Sequence, residues 1–199
     1  MRNSNIKLMT QLALLIAIEA VMKLTGLHNI PLGPINMSLL TIPVAIGAIV
    51  IGPFAGAVLG FVFGALSFMD AITGASAMTS TFMAISPINT FILCVVCRTL
   101  MGLCVGLIYK ALKVVMKSNV RYFLAAICAP LLNTVFFMGF ICIAFYHTEY
   151  VQNLCTALNV TNPFMFVIML VGVQGLVEAI GGCLIGGIAS KAVDVVVNR

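Results

Sequence analysis

From Pro87 to Tyr109 the chain carries a single charge, Arg98, and three lysines (Lys110, Lys113, Lys117) then crowd its end. An apolar run of this length is enough for one crossing of a bilayer, which takes about 20 helical residues. The rest of the chain is of the same kind. Only 8 % of its 199 residues are charged, 62 % are hydrophobic, and the mean hydropathy is +1.21. A soluble domain would carry about a quarter charged residues. The sequence therefore reads as an integral membrane protein. Its net charge of +5 does not point to nucleic acid, because the cations sit between apolar runs, where they set topology.

Apolar runs and their breakers predict an all-α membrane bundle of six transmembrane helices forming one domain, 1–199. The segments are approximately 8–25, 37–51, 54–69, 87–115, 122–146 and 163–193. The stretches "GLHNIPLGPIN", "DAITGASAMTSTF" and "HTEYVQNLCTALNVTN" are expected as loops. Arg2, Lys7, Lys110, Lys113, Lys117, Arg121, Lys191 and Arg199 fall on one side of this arrangement. His28, Asp70, His147 and Glu149 fall on the other. The positive-inside rule then makes both termini cytoplasmic. The N-terminal run has a basic flank, but Glu19 and Lys23 interrupt it and no small-residue cleavage site follows, so it is read as a membrane helix.

Seven cysteines are scattered along the chain and imply no disulfide framework. "CVVC" at 94–97 has redox spacing, but inside an apolar helix it reads as small packing residues. Small residues also show where helices meet. Gly56, Gly60 and Gly64 repeat every four residues, as do Gly182 and Gly186, and both stripes are expected to pack within this chain. Ala13, Ala17 and Ala20 give the first helix a smooth face. Glu19 follows Ala17 by two positions, roughly 200° round the helix, so it points away from that face. With Glu19 turned into the bundle, Ala13 and Ala17 face outwards and form a candidate docking strip for another membrane subunit.

Polar residues at membrane depth are functional candidates, since a charge there is costly unless paired or hydrated. Arg98 and Gln174 each lie about 16 Å below the outer ends of their helices, and Asn133 about as far from the inner end of its own. Glu178 shares a face with Gln174, Asn89 lies near the outer mouth of the fourth segment, and Asn36 precedes the second. These six are the candidate substrate-binding residues. Two roles stay open for Arg98: an ion pair with Glu178 or Glu19 that fixes helix register, or a seat for an anionic group of a ligand. Phe136, Phe137 and Phe140 lie one or two turns beyond Asn133, either as cavity wall or as lipid-facing bulk.

Several chemistries find no residues. The chain has no Gly-rich loop ending in Lys and Ser/Thr, so ATP hydrolysis would have to come from a partner. No His/Cys cluster has metal-ligand spacing, and no Ser or Cys nucleophile has a base beside it. Neither a metal nor a cofactor is expected, and the chain does not read as an enzyme.

The alanine face "ALLIA" of the first helix and the run "LTIPVAIGAIVIGPFAGAVLGFVFGALSFMDAITG" resemble the substrate-binding S components of energy-coupling-factor vitamin transporters. "SPINTFILCVVCRTLMGLCVGLIYKAL" and "LLNTVFFMGF" look most like the pantothenate-type members. The resemblance implies a subunit of an ATP-driven importer in a bacterial or archaeal cell membrane. Its cargo would be a vitamin, and its partners a transmembrane coupling subunit, met by Ala13 and Ala17, and two ATPases. Pantothenate carries a carboxylate, hydroxyls and an amide, which suit Arg98, Asn89 and Asn133. Folate and riboflavin are the nearest competing cargoes. A stand-alone secondary transporter is the alternative mechanism, but the inverted repeats and broken-helix pairs such a transporter often shows are not visible.

Overall fold

The computed structural model describes the backbone at 2–26, 29–32, 35–116 and 119–197, and the side chains at 6–26, 38–116, 119–172 and 175–196. His28, Lys117 and Arg199 lie outside the described residues. The described chain is helical apart from one short hairpin. Helix α1 spans Arg2–Leu24, β1 spans Asn29–Leu32 and β2 spans Ile35–Ser38. Then come α2 (Thr41–Val50), α3 (Pro53–Thr73) and the short α4 (Ala77–Ile85). Helix α5 runs continuously over Pro87–Val115 through a π turn at Ile92–Val96. Helix α6 covers Val120–Ala144 and the short α7 covers Glu149–Ala157. The last helix, α8, begins as Pro163–Gly181, passes a second π turn at Gly182–Gly186 and ends as Gly187–Val197.

Among the described residues, four stretches are long and apolar enough to cross a membrane: Pro53–Thr73, Pro87–Val115, Val120–Ala144 and Gly175–Val196. Helix α2 is a shorter apolar helix, buried on most of its circumference against α3, α5, α6 and the last part of α8.

Four stretches differ from the sequence expectation. The second segment was expected to begin at 37, but Met37 and Ser38 pair in an antiparallel ladder with Ile30 and Asn29, and the helix starts only at Thr41. The third segment does not stop at 69. It runs to Thr73 and closes on Gly74, whose φ of +81° provides the left-handed stop that favours glycine. Asp70 is therefore a buried helical residue and not part of a loop. The other two expected loops contain α4 and α7, folded by tertiary contacts. Phe82 of α4 stacks on Phe145 with centroids 4.3 Å apart, and Val151 and Cys155 of α7 join the same buried cluster.

Glycine sets the central crossing. A Cβ on Gly56, Gly60 or Gly64 of α3 would strike the carbonyl of Gly102, Arg98 or Cys94 of α5 respectively. The two helices thus run antiparallel in backbone contact for two turns, the close approach that a four-residue small-residue stripe permits. Gly182 packs against Pro130, the proline inside α6, and near the Ala126 carbonyl that this proline cannot bond. Both glycine stripes serve packing within the chain.

At one end of the bundle Tyr109, Tyr122, Ala125 and Ala126 pack with Ile49. There Tyr122 donates to Asp194, Arg121 donates to the Tyr122 hydroxyl at 3.4 Å, and the rings of Tyr109 and Tyr122 lie 5.5 Å apart. This network ties α5, α6 and α8 together beside the exposed Lys110 and Lys113. The opposite end carries the hairpin, α4 and α7.

Candidate functional site

Arg98 lies two residues beyond the π turn of α5, and that turn receives part of its side chain. A π turn replaces i→i−4 bonding with i→i−5 and widens the helix locally. Nη1 of Arg98 donates to the carbonyl of Cys94 at 3.1 Å and to that of Leu93 at 3.5 Å, both within the turn. The guanidinium is flanked by two rings. Its Cζ lies 4.5 Å from the centroid of Phe63 on α3 and 4.7 Å from that of Phe137 on α6. The residue is only 7 % exposed, and its Nε is buried without a hydrogen-bond partner.

The two rings alone do not balance the charge. A ring beneath a guanidinium contributes about 0.5–2 kcal/mol, whereas removing an ion from water costs several kcal/mol even after relaxation. The ion pair with Glu19 or Glu178 that the sequence allowed is not what holds Arg98. Its contacts are two backbone carbonyls and two rings. Glu178 is buried on α8, where it accepts the backbone N–H of Ser38 at 2.9 Å. It lies near enough for its charge to act on Arg98 through space.

Asn133 belongs to the same neighbourhood. It precedes Phe137 by one turn on the same face of α6, and its Oδ1 is buried without a partner. An acceptor in that state calls for a donor such as a hydroxyl. Asn89 is elsewhere. It is half-buried in the first turn of α5, where its N–H bonds the Ser86 hydroxyl at 3.5 Å. Nine residues separate it from Arg98, about 13 Å along the axis. Asn36 stands opposite Pro31 in the hairpin, but its side chain and that of Gln174 lie outside the described residues.

Helix α1 shows the two faces expected of it. Ala13, Ala17 and Ala20 are exposed together with Leu14, Ile18 and Val21, while Glu19 is fully buried. Both carboxyl oxygens of Glu19 lack a hydrogen-bond partner. One turn further on, Lys23 pairs with Asp70 at the end of α3.

Sequence reasoning did not foresee three of these features: the Phe63 face on Arg98, the Glu178–Ser38 bond and the Lys23–Asp70 pair. Phe63 had a signal, since it falls within the glycine stripe "GFVFG" that faces α5. The other two join residues 140 and 47 positions apart, and no local pattern reports them. A separate depression of about 470 Å³ lies at the hairpin end, lined by Thr81, Ile85, Thr148, Glu149, Tyr150 and Asn153.

Long apolar helices in glycine-mediated contact are the build of a multi-pass membrane protein. The chain belongs to the family of ECF transporter substrate-specific components, whose model matches residues 7–186. Membership makes it a transporter subunit and implies a vitamin-type substrate and the partners of an ECF module. No curated protein sequence matches this chain.

Proposed function

We propose that this chain captures pantothenate for an ATP-driven importer in a bacterial or archaeal cell membrane. The observation that carries the reading is the buried Arg98 guanidinium, held between Phe63 and Phe137 with its Nε unpartnered and no carboxylate in direct contact. A ligand carboxylate would complete it, and the orphan Oδ1 of Asn133 would accept a ligand hydroxyl. Pantothenate offers both groups on a short flexible chain. Gln174, which the sequence puts at a depth similar to that of Arg98, and Asn36, before the second segment, would contact the remaining polar groups, with Asn89 at the entrance. Folate and riboflavin need broad stacking surfaces. The two rings nearest the polar group already lie against Arg98, and the chain has no tryptophan.

In this reading α1, α2, α3, α5, α6 and α8 make six crossings with both termini in the cytoplasm. The basic end with Lys110, Lys113 and Arg121 faces inwards, and the hairpin end faces out. The exposed Ala13–Ala17 strip meets the transmembrane coupling subunit, through which two ATPases drive release. A thermal-shift panel on the purified chain tests the cargo. A ligand that binds only the folded state raises the midpoint by an amount that grows with its excess over Kd. Pantothenate should stabilise more than riboflavin, folate, thiamine or biotin. A clear preference for one of those four would keep the family and overturn the substrate. A stand-alone secondary transporter would be indicated if uptake proceeded without any ATPase partner.

A further inference from the structure

Helix α7 is too short to stand alone. Its 9 residues make about two and a half turns, fewer than a helix in water needs. It is kept in place by burying Val151 and Cys155 in the cluster around Phe145 and Phe166. The Tyr150 ring meets Phe82 edge-on at 5.8 Å, and the Gln152 amide donates to the Tyr146 carbonyl at 2.6 Å.

Cys155 has a second thiol for company. Cys142, in the last turn of α6, packs against the same cluster, and a charge on either sulfur would act on the other. Both act on the Tyr146 hydroxyl as well. All seven cysteines are free thiols in this structure. Another close pair, Cys94 and Cys97, is buried inside one long apolar helix, away from any aqueous oxidant. Cys142 is only half-buried and near the end of its helix, whereas Cys155 is buried.

We propose that Cys142 and Cys155 are a reversible dithiol clasp that fastens α7 to α6 when oxidised. The oxidant is an aqueous low-molecular-weight disulfide. Cys142, the more accessible thiol, attacks it first, forming a mixed disulfide and releasing one thiol. Cys155 then attacks the Cys142 sulfur and releases the second. The external disulfide is thereby reduced to two thiols, which keep the two protons, as the two cysteines are oxidised. The clasp rests on the orientation in which the hairpin end faces out, since disulfides persist in oxidising surroundings. A bridge holds its Cα atoms about 4.4–6.8 Å apart, so closing draws α7 tightly onto the end of α6. The shared cluster also contains Leu93, whose carbonyl accepts from Arg98. Closing therefore stiffens the packing around the π turn that receives the arginine, whichever vitamin is bound.

The test treats the full chain, purified in detergent, with oxidised glutathione and maps its peptides without reduction. The expected product is a bridge within one chain between the peptides of Cys142 and Cys155, reversed by dithiothreitol. It should raise the thermal midpoint by roughly 5–10 °C. Cys142→Ser and Cys155→Ser should each lose both the bridge and the rise, and Cys155→Ser should trap glutathione on Cys142. A glutathione adduct that stays on Cys142 in the unaltered chain would overturn the clasp. So would a bridge between two copies, or a closed form no more stable than the open one. Orientation is read separately. With Cys142→Ser and Cys155→Ser in place, Gln152→Cys puts an exposed thiol on α7, which a membrane-impermeant maleimide should label on intact cells. Labelling only after the cells are broken would overturn the clasp through its orientation, whereas the glutathione arm judges the thiols themselves.

Discussion

Gly60 of α3 lies with its backbone directly against the carbonyl of Arg98 on α5. A Cβ at position 60 would strike that oxygen, with the carbonyl carbon 3.0 Å away and the Cα of Thr99 3.2 Å away. The glycine that lets two helices touch thereby sets the position of the buried arginine. It also sets the ring beneath it, since Phe63 follows Gly60 by one turn.

Gly60→Ala should therefore damage both fold and site. The obstacle is backbone on both sides, so the helices must separate, and overpacking of this kind costs about 1–3 kcal/mol. The midpoint should fall, and ligand affinity should fall further than the stability loss explains, because Phe63 moves off Arg98. Gly139→Ala is the control. A Cβ there meets nothing within 4 Å, and alanine favours a helix by up to about 1 kcal/mol. Equal midpoints for the two variants would contradict the close-contact assignment.

The outward strip of α1 predicts a separation of functions. Ala13→Leu with Ala17→Leu places bulk on exposed positions, on the face of α1 turned away from the buried Glu19. Binding by the isolated chain should be unchanged, while uptake in cells should be abolished because a partner helix can no longer approach. Uptake at the normal rate would remove the docking role from this face.

A third prediction concerns the hairpin. Glu178→Ala removes the acceptor for the Ser38 N–H, and a hydrogen bond to a charged group is worth about 1.5–3 kcal/mol. Amide exchange across residues 29–38 should quicken in Glu178→Ala and much less in Glu178→Gln, which retains an acceptor. Unchanged exchange in both would mean that the hairpin is held by something else.

The parts of this fold that a sequence shows are those fixed by composition and helical geometry alone. The long segment 87–115 is bounded as expected because nothing but a helix accommodates so many apolar residues between Pro87 and the lysines. The opposed faces of α1 follow from the angle between Ala17 and Glu19, and the glycine stripe of α3 from its four-residue period. What stayed hidden depends on distant partners. Helices α4 and α7 have the small and polar residues of loops, and become helical by burying Phe82, Val151 and Cys155 against α6 and α8. The π turn before Arg98 has no local signature. Asp70 read as a loop acid because Lys23, its partner, lies 47 residues earlier. The site was half legible for the same reason. Arg98, Asn133 and Glu178 declared themselves by being polar in apolar runs, whereas the rings and backbone groups that hold Arg98 and Glu178 did not.

Arg98 permits the sharpest experiment. Among the described residues its guanidinium is held by carbonyls and rings with no carboxylate in direct contact, so Arg98→Met should leave the empty protein folded with a midpoint close to wild type. Methionine is flexible enough to fill the space between Phe63 and Phe137. Binding of pantothenate should weaken. The alcohol analogue pantothenol, which lacks the carboxylate, should bind the wild type far less well than the acid does, yet bind the mutant almost as well as the acid does. The coupling between side chain and carboxylate should be about 1.5–3 kcal/mol, the range for a hydrogen bond to a charged group. Two titrations on each of two proteins give that number directly. Suppose the mutant is destabilised when empty and keeps the wild-type preference for acid over alcohol. Arg98 would then serve the fold alone, and the anionic group of the vitamin would have to be met elsewhere in the bundle.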